Sequence, residues 1–196
     1  MSNVALIVII VVVLIVILLL ALYFASRRRA AQRSEEQRER TREEFGPEYE
    51  RTVRERDSEE EAERELRERR GSVEREVEPL SDESRARYEE QWGEVERVFV
   101  DNPERSIEMA DRTVSDIMNE RNFVSHAGQS DEETERRLGA MHPDVADDYR
   151  EARRIRAVVV ARSAGHADES SEEESTEDLR QAIRKYRAVY QRLVRE

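Results

Sequence analysis

The chain has 196 residues, of which 41% are charged and 37% hydrophobic, and its formal net charge is −12. This acidic balance disfavours the phosphate backbone of nucleic acids, so we expect no nucleic-acid partner. The absence of cysteine excludes disulfide bonds, thiolate metal sites and a cysteine nucleophile.

Residues 4–25 form an apolar run that contains only Ala, Val, Ile, Leu, Tyr and Phe. A helix of these 22 residues is roughly 33 Å long, enough to cross a hydrocarbon core of about 30 Å. The run exceeds the apolar core of about 7–15 residues of a cleavable signal peptide, and no basic residue precedes it. We therefore predict a single-pass transmembrane helix over 4–25, in contact with membrane lipid.

Arginine residues follow this run directly, beginning with Arg27, Arg28 and Arg29. Because basic residues are retained on the cytoplasmic side of a membrane helix, this asymmetry predicts a cell-membrane protein whose soluble part is cytoplasmic. The same three side chains could also bind anionic lipid headgroups. We favour the simpler interpretation, in which they only determine topology.

Residues 26–46 are a charged juxtamembrane arm, either a continuation of the membrane helix or a disordered tether. Gly46-Pro47 ends the arm, and residues 47–78 have the pattern of a long Glu/Arg-rich helix. Asp57-Ser58 offers an N-cap at which this helix could divide in two. A narrow apolar seam with charged flanks indicates a long helix that packs on one side only, and we predict that it forms a charged stalk or coiled coil; the members of the seam are Ala62, Leu66, Val73 and Val77.

Residues 79–196 have the pattern of a small antiparallel helical bundle. The first two helices, on either side of Asp101-Asn102-Pro103, should form a hairpin around Trp92. Their apolar stripes are Tyr88, Trp92, Val95 and Phe99, and then Ile107, Ala110, Val114, Ile117 and Met118.

The pattern of residues 125–135 predicts a loop that could include one helical turn, and the pair His142-Pro143 begins the next helix. Residues 163–175 read as an acidic, mobile linker. The last helix should begin at Ser175, where the sequence resembles a capping box. The stripes of these two helices are Val145, Tyr149, Ala152, Ile155 and Val159, and then Leu179, Ile183, Tyr186, Tyr190 and Leu193.

The predicted fold class is therefore all-α: a transmembrane helix, a charged helical stalk and a helical bundle. No strand-like alternation of apolar residues occurs in the sequence.

No catalytic, cofactor-binding or metal-binding residue stands out in the sequence. The three histidines, His126, His142 and His166, lack the spacing of converging zinc ligands. Phosphate-binding glycine motifs and nucleophile-elbow motifs are absent. The aromatic stripe around Trp92 could be an exposed binding face, although residues at this spacing are more often core.

Several segments resemble a group of bacterial proteins of uncharacterised activity that pair an N-terminal hydrophobic segment with an α-helical domain. The likeness covers about residues 45–196 and implies an anchor and an all-helical fold. At residues 120–124 the chain departs from the Arg-Gly-Tyr-Pro-like turn of that group. The segments that carry the likeness are 45–49, Trp92 with 99–101 and Pro103, His142-Pro143 with Tyr149-Arg150, and 176–182.

From these observations we expect a non-enzymatic, membrane-anchored helical adaptor or structural module that binds a protein partner whose identity the sequence does not give. The alternative is a module that binds a ligand or an envelope component on the extracytoplasmic side. A buried, converging set of carboxylates and histidines would instead indicate an enzyme.

Overall fold

The structure is a computed structural model of the chain that describes residues 38–124, 129–163 and 172–195. The regular elements in these ranges are all α-helices, which confirms the predicted all-α class for the described part of the chain. The chain divides into two compact units, Met1–Glu44 and Phe45–Glu196. The described part of the first unit, residues 38–44, is helical.

The described part of the second unit contains seven helices, which we number in chain order. They are α1 Pro47–Glu55, α2 Glu59–Glu76, α3 Asp82–Asp101, α4 Pro103–Glu120, α5 Asp131–Met141, α6 Pro143–Ser163 and α7 Glu172–Arg195.

Residues 47–78 form two helices that pack into the second unit and do not extend from it as the predicted stalk. Leu66 of α2 is completely buried and clusters with Phe45 and Tyr49. Val73 of α2 belongs to the main core. Helix α2 also contacts α5, and α1 contacts α6, so burying the apolar seam holds this segment against the bundle. Ser58 caps α2, with its hydroxyl 3.2 Å from the Glu61 amide.

Helices α3 and α4 form the predicted antiparallel hairpin. Asn102 caps α4 by accepting from the Arg105 amide at 3.0 Å. Near this turn, the Ser106 hydroxyl donates to the Val95 carbonyl at 2.7 Å. Trp92 is buried as predicted, but its ring stacks on α7, where the Tyr190 ring lies 4.5 Å away at an angle of 12°.

Helix α5 occupies part of the segment that the sequence predicted as a loop. Ser130 caps it by accepting from the Glu133 amide at 3.2 Å. Leu138 and the stem of Arg137 are buried on its inner face. The helix was missed because it carries few apolar residues, and its N-terminal cap is its clearest sequence signal.

Helices α6 and α7 run antiparallel and close the bundle. Lys185 lies 2.7 Å from Asp148, and Arg192 lies 3.6 Å from Asp144. Helix α7 starts at Glu172, three residues before the predicted start at Ser175. Of the predicted linker 163–175, residue 163 and residues 172–175 are therefore helical, and 164–171 lie outside the described residues.

The main core collects the predicted stripes of α3, α4, α6 and α7. The members of these four stripes are buried, except Phe99, which is partly buried and packs against the core.

Two buried arginines, Arg121 and Arg137, lie near the end of α4. Arg121 donates to the Leu193 carbonyl at 2.8 Å, and Arg137 donates to the Phe123 carbonyl at 2.8 Å. These bonds satisfy backbone oxygens inside the fold, and the Phe123 carbonyl also accepts from Gln129 Nε2 at 3.2 Å.

Candidate functional site

The densest group of charged side chains in the interior lies along α6. Arg150, Arg153 and Arg156 are three residues apart, and each step of three turns about 60° short of a full turn around the helix. The three guanidinium groups therefore follow an oblique line that faces different neighbouring helices in succession. With their main acidic partners they form what we call the α6 cluster: Arg150, Arg153, Arg156, Glu48, Asp111, Asp131 and Glu135.

Arg150 links α6 to α1. Its Nη2 donates to the carboxylate of Glu48, which is 2% exposed. Its Nε lies 3.9 Å from Glu135 of α5. A carboxylate this deeply buried needs a charged partner, because the cost of removing it from water is otherwise several kcal/mol.

Arg153 and Arg156 link α6 to α5 and α4. Arg153 donates to Asp131 at 2.6 Å. The Nε of Arg156 lies 3.3 Å from Asp111 Oδ2. Asp111, whose side chain is 14% exposed, is thus shared between two guanidinium groups, since Arg153 Nε also lies 3.8 Å from Asp111 Oδ1.

Two buried tyrosines flank the shared carboxylate of Asp111. The Tyr186 hydroxyl donates to Asp111 Oδ1 at 2.9 Å. Burial, followed by the charge of Asp111 and this hydrogen bond, raises the pKa of Tyr186 above its ordinary value. Burial also raises the pKa of Tyr149 to about 12, and the nearby charge of Arg153 opposes that shift. Both phenols therefore remain protonated near neutral pH and act as hydrogen-bond groups.

The α6 cluster fastens helices together. Each of its four carboxylates lies within 4 Å of one of its three guanidinium groups, and Asp131, whose side chain is 77% exposed, lies at the solvent end of the cluster. A general base or nucleophile needs a lone pair directed at a substrate. In this cluster the carboxylate oxygens face arginine and tyrosine donors of the same chain.

Sequence reasoning missed the α6 cluster. Its available signal was the arginine spacing on α6, beside an apolar stripe that predicts a buried face. The acidic partners carried no comparable signal, since Glu48 and Arg150 lie 102 positions apart in the chain.

An open groove of about 360 Å³ lies where α3 meets the end of α7. Trp92 and Tyr190 form its aromatic side, and Glu89, Glu96 and Arg195 are among its polar residues. Trp92 Nε1 donates to Glu96 at 2.7 Å, and Arg187 donates to the same carboxylate oxygen at 2.7 Å. The aromatic rings are therefore core residues whose edges reach the groove, which agrees with the favoured interpretation of the stripe as core and not with the alternative of an exposed binding face.

Apolar exposure in the described residues is concentrated at three valines. Val100 at the end of α3 is 81% exposed, and Val158 and Val160 near the end of α6 are 39% and 44% exposed. Val160 also lines a small cleft of about 110 Å³ that includes Ile107 and Arg156. Apolar groups on an open surface are candidates for contact with a partner.

The histidines are not brought together as a site in the described residues. His142 is buried at the junction of α5 and α6, where its Nδ1 accepts a hydrogen bond from Arg192 Nε at 3.2 Å. His126 and His166 lie outside the described residues. Within residues 38–124, 129–163 and 172–195, no group of three or more acidic or histidine side chains is arranged to hold a metal ion.

The predicted lipid contacts fall on residues that the structure does not describe. The segment 4–25 and Arg27, Arg28 and Arg29 lie outside the described ranges, as does most of the arm 26–46. Among the helices of the described residues, none has the length and apolarity needed to cross a membrane.

Comparisons with known proteins give no relative from which a site could be transferred. No family model, curated protein or solved structure matches the chain. The resemblance to bacterial proteins with a hydrophobic N-terminal segment stays a prediction.

Proposed function

We propose that the chain is a membrane-tethered, non-enzymatic helical module that binds a protein partner at the cytoplasmic face. Residues 4–25 serve as the anchor, and the unit Phe45–Glu196 carries the binding surface. One juxtaposition carries this proposal: an uncharged apolar run precedes a compact helical unit whose interior charges pair with one another.

The α6 cluster supports an architectural role for the interior of this unit. Its arginines join α6 to α1, α4 and α5, so the polar groups stabilise the arrangement of helices. The exposed side chain of Val100, beside the turn between α3 and α4, offers a surface position for the partner.

Membrane attachment is tested by fractionation of cells that produce the full chain or a variant lacking residues 4–25. We expect the full chain to stay with the membrane through an alkaline carbonate wash and the deletion variant to be soluble. A full chain extracted by carbonate would contradict the anchor. A C-terminal phosphatase reporter that is active outside the membrane would contradict the cytoplasmic assignment.

Partner binding is tested by site-specific photo-crosslinking in cells. A photoreactive residue at Val100 should give one discrete protein adduct, whereas the same residue at Glu68 should not. Glu68 is a matched control because its side chain is 73% exposed on α2. Equal adduct patterns at both positions would indicate random collisions and would contradict a binding surface at Val100.

A second candidate function is binding of a small ligand or an envelope component on the extracytoplasmic side. The open groove beside Trp92 and Tyr190 favours it, because aromatic edges and nearby carboxylates can recognise an amphipathic molecule. An active external phosphatase reporter, together with ligand-dependent changes in Trp92 fluorescence, would favour this alternative.

A further inference from the structure

His142 lies at the corner between α5 and α6 and is 1% exposed. Its amide donates to the Leu138 carbonyl at 2.7 Å, and its carbonyl accepts from the Ala146 amide at 3.1 Å. The residue thus ends one helix and begins the next. The imidazole cannot move into water unless this corner also moves.

The imidazole contacts α7 through its Nδ1 atom. Arg192 Nε donates to His142 Nδ1 at 3.2 Å, so this nitrogen presents a lone pair. On another side, the Phe123 ring lies 5.6 Å away at an angle of 46°. A proton on Nδ1 would remove the acceptor and place a positive charge against the Arg192 guanidinium.

The charged groups around this corner are three arginines and two carboxylates, Asp144 and Glu76; Glu76 of α2 lies 2.8 Å from Arg137, and its side chain is 41% exposed. Arg192 comes from α7, Asp144 from α6, Arg137 from α5 and Arg121 from the end of α4. Arg137 donates to the Phe123 carbonyl at 2.8 Å, and the Arg121 guanidinium lies 5.5 Å from the Phe123 ring centre. Asp144 lies 3.6 Å from Arg192, but its side chain is 57% exposed, so solvent screens its charge.

The same stretch of α7 reaches two further contacts. Tyr190 stacks on Trp92 of α3. The Leu193 carbonyl accepts from Arg121 Nη1 at 2.8 Å. The last turns of α7 are therefore held at Trp92, Arg121 and His142, and Trp92, the single tryptophan of the chain, reports on their position.

We propose that His142 is an acid-sensitive latch. Protonation of its imidazole releases Arg192, and this release loosens the last turns of α7 beside the open groove lined by Trp92 and Tyr190. A histidine in water takes up a proton near pH 6.5. The loosened or unfolded forms bind that proton more readily than the closed form, so falling pH shifts the population away from the closed form. This inference concerns the second unit alone and is independent of membrane attachment.

The test follows Trp92 emission of the full-length chain in detergent from pH 8 to about 5.5, above the ordinary pKa of carboxyl groups near 4. We expect a reversible step in emission centred at or below about pH 6.5, with the far-ultraviolet dichroism of the helices largely kept. His142→Asn keeps an acceptor without a titrating ring and should lose the step. The double variant His126→Asn/His166→Asn is the matched control and should keep it.

A second variant covers the case in which His142→Asn fails to fold. Arg192→Gln alters a side chain that is 40% exposed, removes the cation facing the imidazole, and should also lose the step. The latch is overturned if wild-type emission is constant over this pH range or if the step persists in Arg192→Gln. A step that disappears in the control double variant overturns it as well.

Discussion

Gly139 and Glu48 show how the volume of one side chain fixes the position of another. A Cβ atom at position 139 would lie 2.8 Å from Glu48 Cδ and 3.0 Å from Glu48 Oε2. The carboxylate has little freedom to retreat, because it is buried and pairs with Arg150. The absence of a side chain at position 139 of α5 therefore leaves room for the ion pair between Glu48 of α1 and Arg150 of α6.

Gly139→Ala should lower the free energy of unfolding by about 1–3 kcal/mol, because the added methyl group displaces a buried ion pair. Gly71→Ala is the matched control, since α2 has nothing within 4 Å of a Cβ at that position. The control should raise the stability by up to about 1 kcal/mol through helix propensity. Chemical denaturation of both variants checks this, and a stabilised Gly139→Ala would contradict the crowding.

Glu120 gives the hairpin of α3 and α4 a dependence on pH. Hydrogen bonds from the Ser84 and Tyr88 hydroxyls, together with the charge of Arg87, hold the pKa of Glu120 below its ordinary value of 4.5. The folded state thus favours the carboxylate more than the unfolded state does. The resulting stabilisation is fully present above about pH 4.5 and is lost as the pH falls through the lower folded pKa.

Glu120→Gln should therefore be less stable than the wild type at pH 7 by about 1 kcal/mol, because it replaces a charged acceptor of hydrogen bonds. The difference should shrink steadily below pH 4.5. Urea unfolding at several pH values measures it. A difference that is the same at pH 7 and at about pH 3 would show that the charge of Glu120 is not responsible.

Trp92 joins α3 to α7 through its contact with Tyr190. It is 5% exposed, and the Tyr190 ring covers one face. Trp92→Ala should cost about 3–5 kcal/mol, as for other buried aromatic residues. Glu89→Ala, an exposed change one turn earlier, should cost under about 0.5 kcal/mol. Equal unfolding midpoints for the two variants would exclude a core role for Trp92.

At the scale of helices, apolar periodicity was sufficient to predict α3, α4, α6 and α7, because each buries a continuous stripe. Periodicity failed for α5, whose position is determined by its Ser130 cap and the buried Arg137. Periodicity also did not predict the α6 cluster. Periodicity reports which face of a helix is buried, whereas the pairing of Arg150 with Glu48 depends on how distant helices meet.

The contacts between α6 and α7 should raise the pH at which Tyr149 and Tyr186 ionise. With a pKa of about 12, Tyr149 should remain neutral well above the ordinary tyrosine value of 10.0. Tyr186 is shifted in the same direction, chiefly by burial. Ultraviolet titration should show an early class of tyrosines and a late class that ionises as the fold opens. Tyr149→Phe and Tyr186→Phe should each reduce only the late class.

The same titration gives the sign of the alkaline dependence of stability. A raised phenol pKa means that the folded state favours the neutral ring, so this stabilisation is complete below about pH 10 and declines as the pH rises toward about 12. If all tyrosines ionised together near their ordinary pKa in the folded protein, the burial of the α6–α7 contact would be refuted.

At the scale of the whole molecule, the second unit begins at Phe45 and includes the Glu/Arg-rich segment that the sequence suggested as a stalk. The apolar seam of that segment was visible in the sequence, but the partners that bury it were not. Leu66 and Val73 enter apolar clusters, and Glu48 supplies the partner of Arg150. The long-range contacts of a few residues thus outweigh the composition of the segment.

A fragment of residues 45–196 should therefore fold on its own, while a fragment of residues 79–196 should be much less stable. The shorter fragment lacks Glu48, which leaves Arg150, 18% exposed, without its closest carboxylate from α1. It also uncovers the faces of α5 and α6 that α2 and α1 contact. The main core also loses Val73 of α2, and the burial of one such apolar side chain is worth about 1.5–3 kcal/mol.

Circular dichroism during urea unfolding compares the two fragments, and Arg150→Met in the shorter one is the informative control. In residues 79–196 the loss of α1 exposes Arg150 to water, and the side chain keeps its contacts with Glu135 and Asp147, so this change should cost under about 0.5 kcal/mol. The same change in residues 45–196 should destabilise it, since Glu48 loses its partner. A large loss of stability in residues 45–196 beside a small one in residues 79–196 would show that the first two helices belong to the folded unit. If 79–196 matched 45–196 in midpoint and Arg150→Met had the same effect in both, residues 47–78 would be an independent stalk.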